Sequence, residues 1–217
     1  MKLKQGDFIE IDYIGRIKED NKIFDLTNEE IAKNDNLFHE GHKYRSVIIC
    51  LGFNDIIRGL DGALIGKDIG NYKVEIKAED AFGKKTYDLI KLVPNSIFSR
   101  ENIRPFPGLK INIEGLIGTV RSVSGGRSLV DFNHPLSGKD LIYEVEIKRM
   151  INDVNEKLSS LLELKLNKDI KFTISNNEAV IKLDIKKDLK DLLAKEIKEK
   201  IQEIKEVEFE KQSSENK

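Results

Sequence analysis

The stretch from Val47 to Gly83 constrains this chain most. It reads VIICLGFNDIIRGLDGALIGKDIGNYKVEIKAEDAFG: a strand, a Gly-ended turn, one short amphipathic helix, a second strand and an aromatic–Gly corner. Ile57, Leu60 and Leu64 share one helical face. The segment offers no set of nucleophile, base and metal ligands, which points to a site that works by enclosing something apolar.

Charge excludes some functions. Lys and Arg (37) nearly cancel Asp and Glu (38), leaving a net charge of -1, so the basic excess of a nucleic-acid binder is missing. No apolar run approaches a membrane span. The N-terminus passes from Met1-Lys2-Leu3-Lys4-Gln5-Gly6 straight into strand-like alternation, without the apolar stretch of a signal peptide. The single Cys50, between Ile49 and Leu51, has no partner for an intrachain disulfide. The expectation is a soluble cytoplasmic protein with no nucleic-acid or membrane partner.

Strand signals begin at Phe8–Gly15 and again at Lys22–Asp25. Thr27 with Glu30 reads as a capping box opening a helix over 28–33. Beyond Gly83 come an apolar segment at 90–94, a helical turn at 96–98 and a Pro/Gly turn at 104–108. Short strands at 110–113, 116–123 and 128–132 follow, so this stretch is a small β-rich unit. Leu141–Ile147 is a strong alternating strand. From Asn152 on there is neither Gly nor Pro. That segment predicts a helix through Val154, Leu158, Leu161 and Leu162, a hairpin turning at Asn176-Asn177, and a helix over 187–205. A last strand around Val207 and Phe209 precedes a polar tail from Lys211.

Ordinary catalytic chemistry is sparse. The three histidines, His39, His42 and His134, include no pair at i, i+4. The Gly59, Gly62, Gly66 series lies in a helix and lacks the Lys-Ser/Thr of a phosphate loop, and no Gly-x-Ser-x-Gly elbow occurs. No metal and no cofactor are expected.

The run Ile49-Cys50-Leu51-Gly52, then Ile56-Ile57-Arg58-Gly59-Leu60 and Ala81-Phe82-Gly83, resembles the FKBP-type peptidyl-prolyl cis–trans isomerases. Phe24-Asp25 upstream and Tyr143-Glu144-Val145-Glu146 downstream belong to the same likeness. The intervening residues are similar to the flap insert of the SlyD-like subgroup. Val93-Pro94 stands at its entry and Asp131-Phe132-Asn133-His134-Pro135-Leu136-Ser137-Gly138-Lys139 at its exit. The insertion after Asp25 and the extra C-terminal segment resemble the long archaeal members.

The resemblance implies an α+β fold: an antiparallel half-barrel sheet wrapped on a short helix, with an inserted β-rich flap domain and a C-terminal α/β module. Expected boundaries are 1–84 with 137–150 for the isomerase domain, 85–136 for the flap and 151–217 for the module. It implies a pocket lined by Tyr13, Phe24, Asp25, Val47, Ile56, Ile57, Leu60, Phe82 and Tyr143, with the Ile57 amide facing a carbonyl of the bound chain. Leu60 stands where many members have Trp, Val47 where they have an aromatic, and Phe82 where a Tyr would offer a hydroxyl. It also implies a chaperone insert that holds unfolded or proline-containing polypeptides; Ile97, Phe98 and Leu109 are its candidate apolar contacts, or else the insert's own small core. The alternative is a holdase or assembly-binding module with little isomerase activity. For residues 151–217, a homodimer contact and a cap on the fold are both open.

Overall fold

The computed structural model describes residues 2–113 and 115–211; most of the expected polar tail, from 212 on, lies outside them. Contacts divide the chain into two units, Met1–Ile76 with Ile142–Lys217, and Lys77–Leu141.

The first unit is built on a five-stranded sheet of β1 (Phe8–Ile17), β2 (Ile23–Leu26), β3 (Val47–Cys50), β4 (Gly70–Ile76) and β9 (Leu141–Ile151). Its order is β2-β1-β9-β4, and β3 pairs with β1. One edge of β1 serves two partners in turn: residues 8–11 pair with β3 and 14–16 with β2, both antiparallel. The period-2 pattern explains the sidedness: Ile9 and Ile11 are fully buried, as are Val145 and Ile147 of β9, while Glu10 and Glu146 point away. α2 (Arg58–Leu64) buries Leu60 and Leu64, the face its spacing predicts.

α1 (Glu29–Asn34) is capped by Asn28, whose Oδ1 accepts the Ile31 N–H at 3.0 Å. Thr27, expected as the cap, is buried instead. Its Oγ1 donates to Asp12 Oδ1 and accepts the Tyr13 N–H, both at 3.0 Å. A long-range bond to β1 thus outcompetes the local one, and the cap moves one residue on. Ala32 of α1 joins Ile23 and Leu26 in a small core with Ile14, Ile31, Leu37 and Tyr44 around it.

The segment from 151 on reads from sequence as a module, but residues 151–211 share a core with the front of the chain: Phe8 and Cys50 cluster with Ile151, Leu158, Leu162, Ile181, Ile197 and Ile201. The segment comprises α4 (Val154–Leu166), β10 (Phe172–Ser175), β11 (Glu178–Lys182), α5 (Lys187–Lys200) and β12 (Glu206–Glu210). Asp153 caps α4 through the Glu156 N–H at 2.8 Å. The Asn176-Asn177 turn has φ of 49° and 66°, the conformation a two-residue hairpin loop needs and Asn tolerates. β12 lies parallel to β11, so α5 is the crossover between them. α5 ends at Lys200, short of the expected 205, because the chain turns there to bury Ile201 and Ile204.

The second unit carries its own sheet, order β5-β8-β7-β6, from β5 (Ile90–Pro94), β6 (Lys110–Ile113), β7 (Leu116–Ser124) and β8 (Arg127–Asp131), with α3 (Asn95–Arg100) against β5. Val93, Phe98, Ile111, Val120 and Val130 form its core. Gly118 is required by close packing: a Cβ there would meet Phe132 and Val130 at 2.7 Å.

Candidate functional site

Among the residues expected at the site, one cluster in the first unit is joined by direct contact. Tyr13 from β1 donates its hydroxyl hydrogen to Asp25 Oδ2 of β2 at 2.9 Å. Its ring lies 5.7 Å from that of Tyr143 on β9, tilted by 56°. Phe24 meets Tyr143 edge-on at 5.8 Å and 83°. These spacings are those at which aromatic pairs attract beyond their area burial. The sheet order creates the corner, since β2, β1 and β9 are consecutive neighbours.

Both tyrosine hydroxyls are held neutral. Burial raises the Tyr13 pKa above its ordinary value, and the Asp25 carboxylate raises it further. Tyr143 is raised by burial first and by Asp25 second. Each remains a donor, and neither can serve as a base near neutral pH.

Gly15 makes the corner possible. A Cβ at this position would come within 2.8 Å of the Phe24 ring and 3.1 Å of the Tyr143 ring. Gly15→Val is expected to splay both rings and lower catalysis on a short X-Pro peptide about tenfold, at about 1–3 kcal/mol in stability. Peptide kinetics alongside a thermal melt checks this.

The other expected residues of this unit lie on separate elements. Val47 opens β3 and is half-buried. Leu60, 1% exposed, lies on α2. Ile56 and Ile57 end the loop between β3 and α2, with Ile57 as the helix N-cap. The Ile57 carbonyl accepts from the Leu60 and Asp61 N–H groups at 3.0 Å each. Its own N–H, ahead of the first helical turn, has no acceptor among the described residues. Phe82 belongs to the second unit, where its ring stacks on His134 at 4.4 Å and 6°.

Sequence reasoning missed the residues beside Phe24 and Asp25. A cavity of about 220 Å³ is lined by these two together with Ile23, Leu26, Leu37, His39, His42 and Tyr44. His42 and Tyr44 meet edge-on at 4.5 Å. The loop residues had no periodicity to betray them; a His and a Tyr two apart in a polar loop were the only signal. A wider groove of about 450 Å³ also borders Tyr13, but its lining includes Asp12, Lys73, Glu144 and Glu146, a poor match to the apolar surroundings of a proline.

Cys50 is buried and far from reactive: burial, with Asp55 second, pushes its thiol up to about 12. Among the described residues, no cluster of three or more His, Cys, Asp or Glu is placed to hold a metal. No helix of the described residues is long and apolar enough to cross a membrane.

The insert departs from expectation in which apolar residues face out. Phe98 is 3% exposed and in the core, and Ile97 and Leu109 pack against that core. A unit this small needs its larger apolar side chains inside. The outward residues include Leu92, Phe106, Leu116 and Ile117, each more than half exposed.

At the base of the insert, the exit string 131–139 binds back onto 82–86. The Asp131 carboxylate accepts from Arg121 Nη2 at 2.7 Å, Lys85 Nζ at 3.2 Å and the Asn133 N–H at 2.9 Å. Asn133 exchanges side-chain bonds with the Thr86 backbone at 2.8 and 3.0 Å. Ser137 and Gly138 donate to the Phe82 and Gly83 carbonyls at 3.1 and 2.8 Å.

A family described as FKBP26, IF domain, matches residues 91–136. A probable FKBP-type 16 kDa peptidyl-prolyl cis–trans isomerase of Pseudomonas fluorescens is 33% identical over 104 residues, covering 45% of this chain and 67% of that protein. The chain belongs to the FKBP-type peptidyl-prolyl isomerase family. Within that family it is similar to a short-type isomerase of Methanocaldococcus jannaschii, 29% identical over 67% of this chain and 92% of that one. A SlyD of Pasteurella multocida is 30% identical over 44% of this chain and 50% of its own length. The match thus spans about half the length of this SlyD relative. This FKBP-type chain carries the insert between β4 and β9, which are neighbours in its sheet.

Proposed function

We propose that this FKBP-type protein catalyses cis–trans isomerisation of X-Pro bonds in polypeptides, with the insert holding unfolded chain. The observation that carries the reading is the Tyr13–Tyr143–Phe24 corner, whose one acid, Asp25, is already bound by the Tyr13 hydroxyl. Such a corner can enclose a proline ring but cannot transfer protons, and this reaction needs no proton transfer. The amide resists twisting by roughly 18–20 kcal/mol because twisting destroys its resonance. Water stabilises the planar, charge-separated form; a dry aromatic slot withdraws that stabilisation and favours the twisted one. A preference of about 4–7 kcal/mol for the twisted state speeds rotation roughly a thousand- to hundred-thousand-fold. In this reading Val47, Ile56 and Leu60 complete the lining, and the Ile57 N–H, without an acceptor among the described residues, takes a carbonyl of the bound chain. Asp25 orients Tyr13.

The insert would act through Leu92, Phe106, Leu116 and Ile117, whose exposure supplies apolar contacts for an unfolded client. The lone buried thiol suits a reducing cytoplasm. The test is refolding of a proline-limited protein with the chain at substoichiometric concentration. A rate gain is expected. No gain, with aggregation still suppressed, would favour a holdase, the reading that those same exposed residues support without the pocket.

A further inference from the structure

α5 ends on a lysine whose surroundings are unusual for its type. The side chain of Lys200 is 1% exposed, and that of its partner Asp55 is 4% exposed. Nζ donates to Asp55 Oδ1 at 2.5 Å and to Glu196 Oε1 at 2.7 Å, and stands 5.6 Å from the centre of the Phe53 ring. Burial opposes the lysine charge, but the bonds from Asp55 and Glu196 outweigh it and raise the pKa. An apolar residue of similar volume would fill this space without desolvating an ion, so stability alone does not account for the pair.

Its position does. The second Asp55 oxygen accepts the Cys50 N–H at 3.0 Å. The same loop is gripped from α2, where buried Asp61 accepts the Gly52 and Asn54 N–H groups at 2.8 Å each. Gly52 and Asn54 have φ of 83° and 55°, so the loop takes a shape that ordinary residues resist and that these bonds must hold. It delivers the chain directly to Ile56 and Ile57.

We propose that Lys200 is a positioning residue for the prolyl site: by gripping Asp55, the C-terminal helix α5 sets where the Ile57 amide sits. This rests on the isomerase reading above. The grip comes from a residue 145 positions away along the chain.

The test uses the full chain with Lys200→Met and Lys200→Arg, short-peptide kinetics per folded molecule well below the melting temperature, and amide NMR spectra. Lys200→Met is expected to lower kcat/KM about ten- to hundredfold, since small misplacements of a binding group have effects of that order. It should also move the Ile56 and Ile57 amide resonances, and Lys200→Arg should restore both. A folded Lys200→Met protein with wild-type kcat/KM and unmoved resonances overturns the proposal. If Lys200→Met alone does not fold, Lys200→Met with Asp55→Asn removes the unpaired buried charge, keeps an acceptor for Cys50, and carries the same expectations. A wild type without isomerase activity would overturn the isomerase reading itself; an active wild type with an indifferent Lys200→Met variant overturns only the role of Lys200.

Discussion

Excising residues 87–132 and joining Thr86 to Asn133 through a short glycine linker is expected to reduce catalysis of proline-limited protein refolding about a hundredfold. Turnover of a short X-Pro peptide should change only about two- to threefold. The excised segment holds the sheet β5-β8-β7-β6 and a core of its own, so its loss leaves no cavity in the core around Phe8, Leu158 and Ile197. The cut ends are already close, since the Thr86 N–H donates to Asn133 Oδ1 at 2.8 Å. The asymmetry between substrates is the diagnostic. A peptide too short to use a second contact gains nothing from the insert, whereas a tethered second contact raises effective concentration by about two orders of magnitude. Parallel assays on one refolding protein and one tetrapeptide decide it: equal losses on both substrates would rule out the two-contact scheme.

Asp131→Ala is expected to unfold the insert while the first unit stays folded. Burial works to raise the Asp131 pKa, but bonds from Arg121, from the Asn133 side chain and backbone, and from Lys85 outweigh it and hold the carboxyl well below its ordinary 3.8. Removing a carboxylate that is 4% exposed and so bonded costs about 3 kcal/mol. The figure sits at the low end because Arg121 and Lys85 are half-exposed and recover water. A unit as small as 77–141 has only a few kcal/mol of stability to lose. The same lowered pKa gives a sign for pH. The stabilisation is fully present above the unfolded-state value near 3.8 and is lost as pH falls from there towards the lowered folded value. Protection of the β7 and β8 amides, measured against their intrinsic exchange rates, should therefore fall below about pH 4 in the wild type and be lost at neutral pH in the variant. Unchanged protection in Asp131→Ala would mean the clamp is not what holds the insert.

The pattern of success along the chain has a physical basis. Most strands were readable because alternation is a local property: Phe8–Gly15, Leu141–Ile147 and the insert strands all appear close to their expected bounds. The Asn176-Asn177 turn was readable because left-handed backbone is a preference of the residue itself. Thr27 was misread as a cap since its hydroxyl has two competing partners, and the winning one, Asp12, is on another strand. Phe98 stayed open between client contact and insert core because an apolar residue in a short helix carries no mark of whether its face turns in or out. At the site, Tyr13, Phe24, Asp25 and Tyr143 were legible only through family likeness. Their contact depends on β1 lying between β2 and β9, a pairing that joins residues far apart in sequence.

By itself, then, the sequence determined most of the elements, the apolar face of the longer ones and the family. Each of these follows from residue type and near-neighbour spacing. Tertiary structure alone decided which faces cover one another: that β12 runs parallel to β11, that residues 151–211 share a core with Phe8 and Cys50, and that Lys200 is buried. A lysine ending an amphipathic helix reads as solvated, because nothing near it in the chain supplies a partner for its charge on the loop side. Its burial is decided by Asp55, which only the folded chain brings to 2.5 Å.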